Sequence, residues 1–256
     1  MELFIIFLGG LTAGILGGLL GIGGGIILMP ILRFYVGFSP ALAAGTCIMA
    51  VFFTTLGGSF RHYKLGHIRF KPLVPVIISG AVSTILFSFI FLYFTKKESW
   101  LDVGVGCVFL LVAVRMLIEA VRGFSFKDVK NGRNNKMKGS FSEKITIGSL
   151  AGILPGLLGI GTGAILVPAF KFILKAPIKI AIGSSLICFA VNALLSTGFK
   201  YFQGYIEVKI AIVISLGTLI GANIGAMINK KFPPAGIKLL FGLFFIVIAF
   251  KYLKVF

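Results

Sequence analysis

Apolar and polar positions alternate along the chain in long blocks, and these blocks predict membrane-spanning helices. Apolar runs bounded by charged or turn-forming residues cover about residues 3–37, 41–60, 72–94, 100–121, 145–174, 178–199, 208–228 and 235–253. A helix needs roughly 20 residues to cross a hydrocarbon core of about 30 Å, and most runs reach that length. The pattern therefore predicts an all-α, polytopic membrane protein with about eight transmembrane helices.

The first run is too long for one straight helix across a bilayer. A helix over residues 3–36 would extend about 50 Å, well beyond the core of about 30 Å. The sequence GIGGG at residues 21–25 disfavours helix and permits positive φ, so it predicts a break there. The apolar run resumes after these glycines, where we expect a second helix to start.

The same glycine-rich phrase occurs twice. GLLGIGGGIILMP at residues 18–30 matches GLLGIGTGAILVP at residues 156–168 when residue n is laid on residue n + 138. The register continues without a gap as far as Lys71 and Lys209. This match indicates an internal duplication in which each half begins with a broken, glycine-rich helix.

The duplication predicts a first transmembrane repeat at residues 1–121, a basic cytoplasmic linker at 122–144 and a second repeat at 145–256, with four helices in each repeat. Duplicated halves are typical of secondary transporters, which bind substrate between their repeats near the membrane midplane, although channels are also duplicated. Four spans per repeat would make the repeats parallel. One further reversal at each glycine phrase would make them inverted, and the sequence leaves both arrangements open.

Composition and charge narrow the function. Hydrophobic residues make up 58% of the 256 and charged residues 12%, with a mean hydropathy of +1.07. The net charge is +18, but the basic residues stand between the apolar runs, where they set topology and contact anionic lipid. Because the aromatic residues lie within the runs and not among the basic residues, no nucleic-acid partner is expected.

Lysine and arginine also predict the orientation. With eight crossings and the N-terminus inside, 15 of the 25 basic residues fall at inner ends and 9 at outer ends, with Arg115 inside a span. The excess predicts that the N- and C-termini are cytoplasmic.

The glycines at the two breaks are the first candidates for substrate contact. A helix that starts inside a membrane presents unpaired N–H groups and a positive dipole end, which attract an anion. Glycine lets that anion approach the backbone closely. The alternative is close helix packing, which we favour for Gly14, Gly18 and the series Gly217, Gly221 and Gly225. The candidates for binding a small oxyanion are Gly23, Gly24, Gly25, Gly161, Thr162 and Gly163.

Polar side chains occupy matching positions in the second apolar run of each half. Hydroxyl and amide groups donate to an oxyanion in a dry site, although Ser and Thr also bond to their own helix backbone. The candidate substrate ligands on these runs are Thr46, Ser59, Ser184, Ser185, Asn192 and Thr197.

Charged residues near the ends of the runs are candidates for concentrating anions at two mouths. Snorkelling of single basic side chains to the membrane interface is the alternative. Arg61, His62 and Lys200 are expected at the inner ends, and Arg33 and Lys171 at the outer ends.

Arg115 and Glu119 put charge inside a span. They are four residues apart on one helix face, so we expect them to pair, and Glu119 is also a candidate for carrying a coupling proton. The histidines, cysteines and carboxylates form no pattern that predicts a metal site or a cofactor.

The paired glycine phrases, the four-plus-four organisation, the basic middle segment and the length together resemble the sulfite exporter TauE/SafE family, also called the 4-toluene sulfonate uptake permease family. The resemblance extends over nearly the whole chain. It implies a multi-pass protein of the bacterial cytoplasmic (inner) membrane that transports sulfite, sulfonates or related organic anions. Its partners would be a small anionic substrate and membrane lipid.

Three classes of function compete. The leading one is a secondary anion transporter that works by alternating access, with the two halves rocking about a site between them. An anion channel would share the basic mouths. A membrane enzyme is disfavoured, because the sequence has no HExxH motif, no paired membrane aspartates, no Walker lysine motif and no Ser-His-Asp set among the spans.

Overall fold

The computed structural model describes residues 2–20, 23–121, 137, 139–228 and 234–253, and these ranges contain helices but no strand. The helices are α1 (Glu2–Leu20), α2 (Gly25–Pro30), α3 (Pro40–Lys64), α4 (Phe70–Thr95), α5 (Glu98–Val121), α6 (Phe141–Ile153), α7 (Gly163–Pro168), α8 (Ile178–Phe202), α9 (Val208–Ile228) and α10 (Pro234–Tyr252). Three π-helical segments, Ile31–Tyr35, Leu154–Leu158 and Ala169–Ile173, extend α2, α6 and α7.

The helices are those of a polytopic membrane protein. Helices α3, α4, α5 and α8 are long and apolar enough to cross a membrane, and shorter apolar stretches lie in α1, α2, α9 and α10. On α4 the exposed side chains recur every four residues at Val74, Ile78, Val82 and Leu86, so one outward face suits lipid. Eight spans stays a prediction, and most of the predicted linker, residues 122–136 and 138, lies outside the described residues.

Local sequence signals explain where the long helices begin and end. The Ser39 hydroxyl accepts a hydrogen bond from Leu42 N at 3.3 Å, and Pro40 occupies the first helical position of α3. Ser140 begins α6 with a reciprocal capping box. Gly66 and Gly204, 138 residues apart, adopt positive φ just after α3 and α8 and end both helices.

Helix bounds recur at the same offset as the sequence match. Helices α2 and α7 begin at Gly25 and Gly163, and α4 and α9 begin at Phe70 and Val208. Each pair of starts differs by the 138 residues that separate the two glycine phrases. The match between the two stretches of sequence is therefore accompanied by a match in where these helices begin.

The chain reverses direction at the first glycine break. Gly24 packs against Gly17 and Ala13, and Ile31 packs against Gly9. As residue numbers rise along α2 and its π extension, their partners on α1 fall, so this arm runs back along α1. This is the further reversal that the sequence left open.

The most extensive contacts between helices join the two halves. Helix α1 runs parallel to α9 and α6 runs parallel to α4, whereas α3 and α8 are antiparallel, as are α5 and α10. Small residues allow the close approach of the parallel pairs. Their contacts are Gly10 to Ile214, Gly14 to Thr218, Gly148 to Val76 and Gly152 to Gly80. The packing role predicted for Gly14, Gly217 and Gly221 is confirmed, since all three lie against backbone atoms of the facing helix.

These directions define two faces of the helix bundle. The terminal face holds the start of α1 and the end of α10. The linker face holds the ends of α3 and α5 and the starts of α4, α6 and α8. Helix α1 therefore runs from the terminal face to the linker face, and its equivalent α6 runs the opposite way. Equivalent helices of the two halves have opposite directions.

Candidate functional site

The two glycine breaks meet inside the protein. A Cβ atom on Gly25 would lie 3.2 Å from the backbone N of Gly161 and 2.9 Å from a methyl of Val51, so only glycine fits without a shift. Gly23 and Gly24 have φ of 80° and 71°, a left-handed conformation that glycine adopts readily. The predicted helix starts are confirmed at Gly25 and Gly163, while residues 21 and 22 lie outside the described residues.

A cavity of about 170 Å³ extends from this region towards the linker face. Gly23 and Gly24 line its inner end, and α1, α3, α8 and α9 form its walls. Glycines widen it, because Gly17, Gly57 and Gly58 place no side chain in the space. The cavity is therefore a recess that reaches the first break from one face of the bundle.

Basic groups line the outer part of this cavity. The exposed Arg61 donates from Nη1 to Asn223 Oδ1 at 2.9 Å. His62 is half-buried, with its Nδ1 3.3 Å from Nδ1 of His67. None of the described residues that line the cavity is acidic. The lining can therefore attract an anion without repelling it.

Four of the sequence candidates, Gly23, Gly24, Arg61 and His62, line the cavity together. The sequence reasoning missed Thr54, Thr55 and Asn223. Thr54 bonds to Thr218 Oγ1 at 2.6 Å and to Ala50 O at 3.0 Å. The alignment of Thr54 with Asn192 was a usable signal, because both halves carry a polar side chain at that position.

The remaining polar candidates fall into two groups. Thr46 accepts from Glu207 N at 3.1 Å and Ser185 donates to Ile182 O at 2.9 Å, so both have backbone partners. The other five have a buried oxygen with no hydrogen-bond partner within the described chain. These are Ser59, Thr162, Ser184, Asn192 and Thr197. Buried oxygens of this kind are available to a ligand, because leaving them unpaired is unfavourable.

Arg33 is held by an ion pair. Its Nε and Nη2 donate to the two carboxylate oxygens of Asp102 at 3.1 and 2.9 Å, and its Nη1 donates to Phe38 O at 3.0 Å. The pair ties the returning arm after α2 to α5. Lys171 lies 5.6 Å from the centre of the Phe172 ring. Because the two halves run in opposite directions, Arg33 and Lys171 belong to opposite faces, contrary to the expectation that both stand at the outer one.

Lys200 was expected at the same mouth as Arg61 and His62, and that placement is wrong. The helix directions put it towards the terminal face, whereas Arg61 lies at the linker face. Its side chain is fully buried, and its Nζ donates to the carbonyl oxygens of Pro155 and Gly156 at 3.1 and 2.6 Å. The offset that made it the counterpart of His62 did not reveal that it lies inside the protein.

Arg115 and Glu119 form the pair expected from their spacing. Arg115 Nε donates to Glu119 Oε1 at 2.8 Å on α5. Within the described residues, no group of His, Cys, Asp and Glu has the geometry of a metal site.

Comparison with known proteins agrees with this architecture. The sequence profile described as sulfite exporter TauE/SafE matches residues 6–252. The probable membrane transporter protein YunE of Bacillus subtilis is 25% identical over 248 residues, covering 90% of each chain. A probable membrane transporter protein of Haemophilus influenzae is 27% identical over 263 residues, covering 94% of each chain.

A shorter match, 41% identical over 56 residues, links the chain to the sulfite exporter TauE/SafE family protein 1 of Arabidopsis thaliana, covering 22% of this chain and 12% of that protein. These relatives are named as transporters and not as enzymes. The profile match across almost the full length, together with the duplicated glycine breaks, shows that this chain is a membrane transporter that belongs to the sulfite exporter TauE/SafE family.

Proposed function

We propose that the chain is a secondary transporter that moves small sulfur-containing or organic anions by alternating access between two inverted four-helix repeats. The observation that carries this proposal is the meeting of the two breaks at Gly25 and Gly161, beside a cavity lined by basic and no acidic described residues. Transporters with internal repeats bind substrate where broken helices meet near the midplane. The duplicated phrase supplies one such helix start from each half.

Sulfite and sulfonates are the substrates we propose. The family description names sulfite, and a small oxyanion accepts the N–H, hydroxyl and guanidinium hydrogen bonds that this region offers. The volume of about 170 Å³ is more than ten times the roughly 10–15 Å³ needed for one water. A small anion would therefore enter with part of its hydration and exchange water for protein donors near Gly24.

We infer that the linker face is cytoplasmic. The segments that join helix ends at the linker face carry 17 Lys and Arg residues, and the segments at the terminal face carry 7. Arg115, inside a span, is the last of the 25 basic residues. This excess of basic residues is larger than the excess obtained by counting eight simple crossings, and it supports the orientation with both termini outside the cytoplasm, opposite to the one expected from eight crossings. A reporter enzyme that is active only outside the cytoplasm, fused after Phe256, is expected to be active. Activity of a cytoplasm-only reporter instead would reverse the orientation.

Flux in liposomes tests the transport proposal. Purified protein is reconstituted, and uptake of radiolabelled sulfite and a panel of sulfonates is followed with and without a pH gradient. Saturable uptake of one anion that responds to the gradient is expected for a coupled transporter. Fast, non-saturating flux of many anions would favour the alternative, an anion channel, and absence of flux for every anion would contradict both.

Thr162→Val tests a role in binding substrate separately from a role in stabilising the fold. Its hydroxyl is fully buried and has no hydrogen-bond partner within the described chain, so an isosteric valine removes a potential ligand without breaking a bond. We expect normal extraction and thermal stability but reduced flux. The control is Thr146→Val, since Thr146 is not among the described residues that line the cavity and its Oγ1 donates to its own helix at Ser142 O, at 3.0 Å. Equal flux in the wild type and Thr162→Val would remove Thr162 from the site.

A further inference from the structure

Lys200 is a buried cation held without a carboxylate. Its ammonium uses all three donors, on Pro155 O, Gly156 O and Ser196 Oγ at 3.1, 2.6 and 3.1 Å. The Phe91 ring centre lies 4.3 Å from Nζ. Across the described chain, no acidic side chain forms an ion pair with it. When it is protonated, Lys200 is therefore stabilised by dipoles and an aromatic face rather than by a carboxylate.

The carbonyl oxygens that hold Lys200 are replaceable partners. They belong to the π-helical segment Leu154–Leu158, which forms the C-terminal end of α6. They therefore carry the partial negative charge of a helix C-terminus. A full charge in a dry environment is stabilised better by an ion of opposite charge than by neutral carbonyls. An arriving oxyanion would therefore compete with Pro155 and Gly156 for the same N–H donors.

The position of Lys200 mirrors the open cavity. Gly17, Gly58 and His62 line that cavity, and the residues 138 positions later are Pro155, Ser196 and Lys200. In the second half these three residues bond to one another. Lys200 Nζ donates to Pro155 O and to Ser196 Oγ, and Ser196 Oγ also donates to Pro155 O. Lys200 thus occupies the counterpart of the cavity, on the terminal side of the glycine breaks.

We propose that Lys200 binds the transported oxyanion in a second vestibule that opens to the terminal face when its ammonium leaves the carbonyls of Pro155 and Gly156. The proposal rests on the proposed transport function and names a cationic ligand for the same substrate. In the structure Lys200 fills the second position with its bonds to Pro155 and Gly156, and the cavity beside His62 lies towards the linker face. Transport then alternates between His62 with Arg61 on one side and Lys200 on the other.

Sidedness of sulfite affinity is the first test. Lys200→Met removes the charge but keeps an apolar chain of similar length, and because the carbonyls of Pro155 and Gly156 then lose a donor, folding of the variant is checked by thermal unfolding in detergent. In vesicles of defined orientation, we expect KM for sulfite from the terminal face to rise about tenfold to a hundredfold, the range for one lost charged hydrogen bond. Lys200→Arg is expected to recover part of that loss. Lys209→Met is the matched control, because Lys209 is exposed at the terminal face. An unchanged KM in Lys200→Met would overturn the proposal.

Thiol labelling tests the vestibule without relying on KM. Ser196→Cys is expected to react with a membrane-impermeant thiol reagent from the terminal face, faster when methanesulfonate is present, whereas Gly58→Cys is expected to react from the linker face. The unsubstituted chain reports labelling of its own three cysteines. If Ser196→Cys reacts only from the linker face or not at all, no second vestibule forms. If the vestibule forms but no sulfite or sulfonate is carried by the wild type, the transport proposal fails instead.

Discussion

The two halves of the molecule share a backbone plan but differ at the positions that face the glycine breaks. In the first half Gly57 and Gly58 leave a cavity, and in the second half their equivalents are Leu195 and Ser196. In the second half Lys200 fills the space whose counterpart beside His62 is a cavity. Equivalent backbone positions in the two halves therefore carry side chains of different volume and charge, and these side chains determine whether the space beside each break is a cavity or is filled.

The halves are alike where helices pack. Gly14 on α1 lies against Thr218 of α9, and Gly152 on α6 lies against Gly80 of α4. The residues 14 and 152 are equivalent, as are 80 and 218. The interfaces between the halves are thus preserved by small residues, while the surfaces beside the breaks have diverged. We infer that the interfaces carry the architecture and the diverged surfaces carry the direction-specific steps.

The largest expected effect comes from giving the first half the side chain of the second. Gly57→Leu introduces the leucine found at position 195 into the cavity wall. Its Cβ would lie 2.9 Å from Leu219 Cδ2, the end of a flexible side chain that can shift. The protein should therefore fold, while the cavity is obstructed. We expect sulfite flux to fall by more than about tenfold in liposomes.

Gly198→Leu is the matched control for Gly57→Leu. Gly198 also lies within a long helix, and a Cβ there meets nothing within 4 Å. Both changes add the same side chain and raise helix propensity, but only the first enters the cavity. Equal flux in the two variants would mean that the cavity is not on the transport route.

Much of the fold could be predicted from the sequence, because its signals are periodic and local. The helix break, the offset of 138 residues and the Arg115–Glu119 pair all follow from spacing. The reversal at Gly23 and Gly24 could not be predicted, since glycine permits several backbone directions and only packing on Gly17 selects one. That single reversal inverts the second half, and it changes which basic residues are counted at each face.

The site was only partly predictable for a related reason. The sequence places Arg61 and His62 near one helix end and Lys200, the equivalent of His62, near another. It does not show that His62 lines a cavity whereas Lys200 is buried, because that difference arises from contacts between helices distant in sequence. Lys200 reaches Gly156, 44 residues away, and Arg61 reaches Asn223, 162 residues away. Such contacts are set by tertiary packing and leave no local pattern.

An intermediate effect is expected from the ion pair that clamps the returning arm of the first half. Asp102→Asn leaves Arg33 without its carboxylate, whereas the equivalent positions in the second half are Lys171 and Leu240. Asp102 is nearly buried and the Arg33 side chain is 26% exposed, so the loss should lie between the surface and buried limits, at about 1–3 kcal/mol. We expect a lower thermal unfolding temperature in detergent.

Replacing both members of the clamp separates the charge from the packing. Arg33→Met with Asp102→Leu leaves no unpaired charge, so its unfolding temperature should recover most of the loss seen in Asp102→Asn. If the double variant is less stable than Asp102→Asn, the pair itself holds the arm in place, and the second half must use a different contact for the same purpose.

The smallest expected effect concerns the other ion pair that the second half lacks. Arg115 corresponds to Leu253, so a coupling proton on Glu119 would act in one half only. The Arg115 and Glu119 side chains are 32% and 16% exposed, and such pairs on one helix typically contribute about 0.3–0.5 kcal/mol.

We therefore expect Glu119→Gln to keep both sulfite exchange and the response of uptake to a pH gradient within about twofold of the wild type, because the cavity and Lys200 lie on other helices. Sulfite exchange without any gradient measures transport independently of coupling. Exchange that persists while the gradient response disappears would instead make Glu119 the coupling residue. Proton coupling would then depend on α5 in the first half and not on its equivalent in the second half.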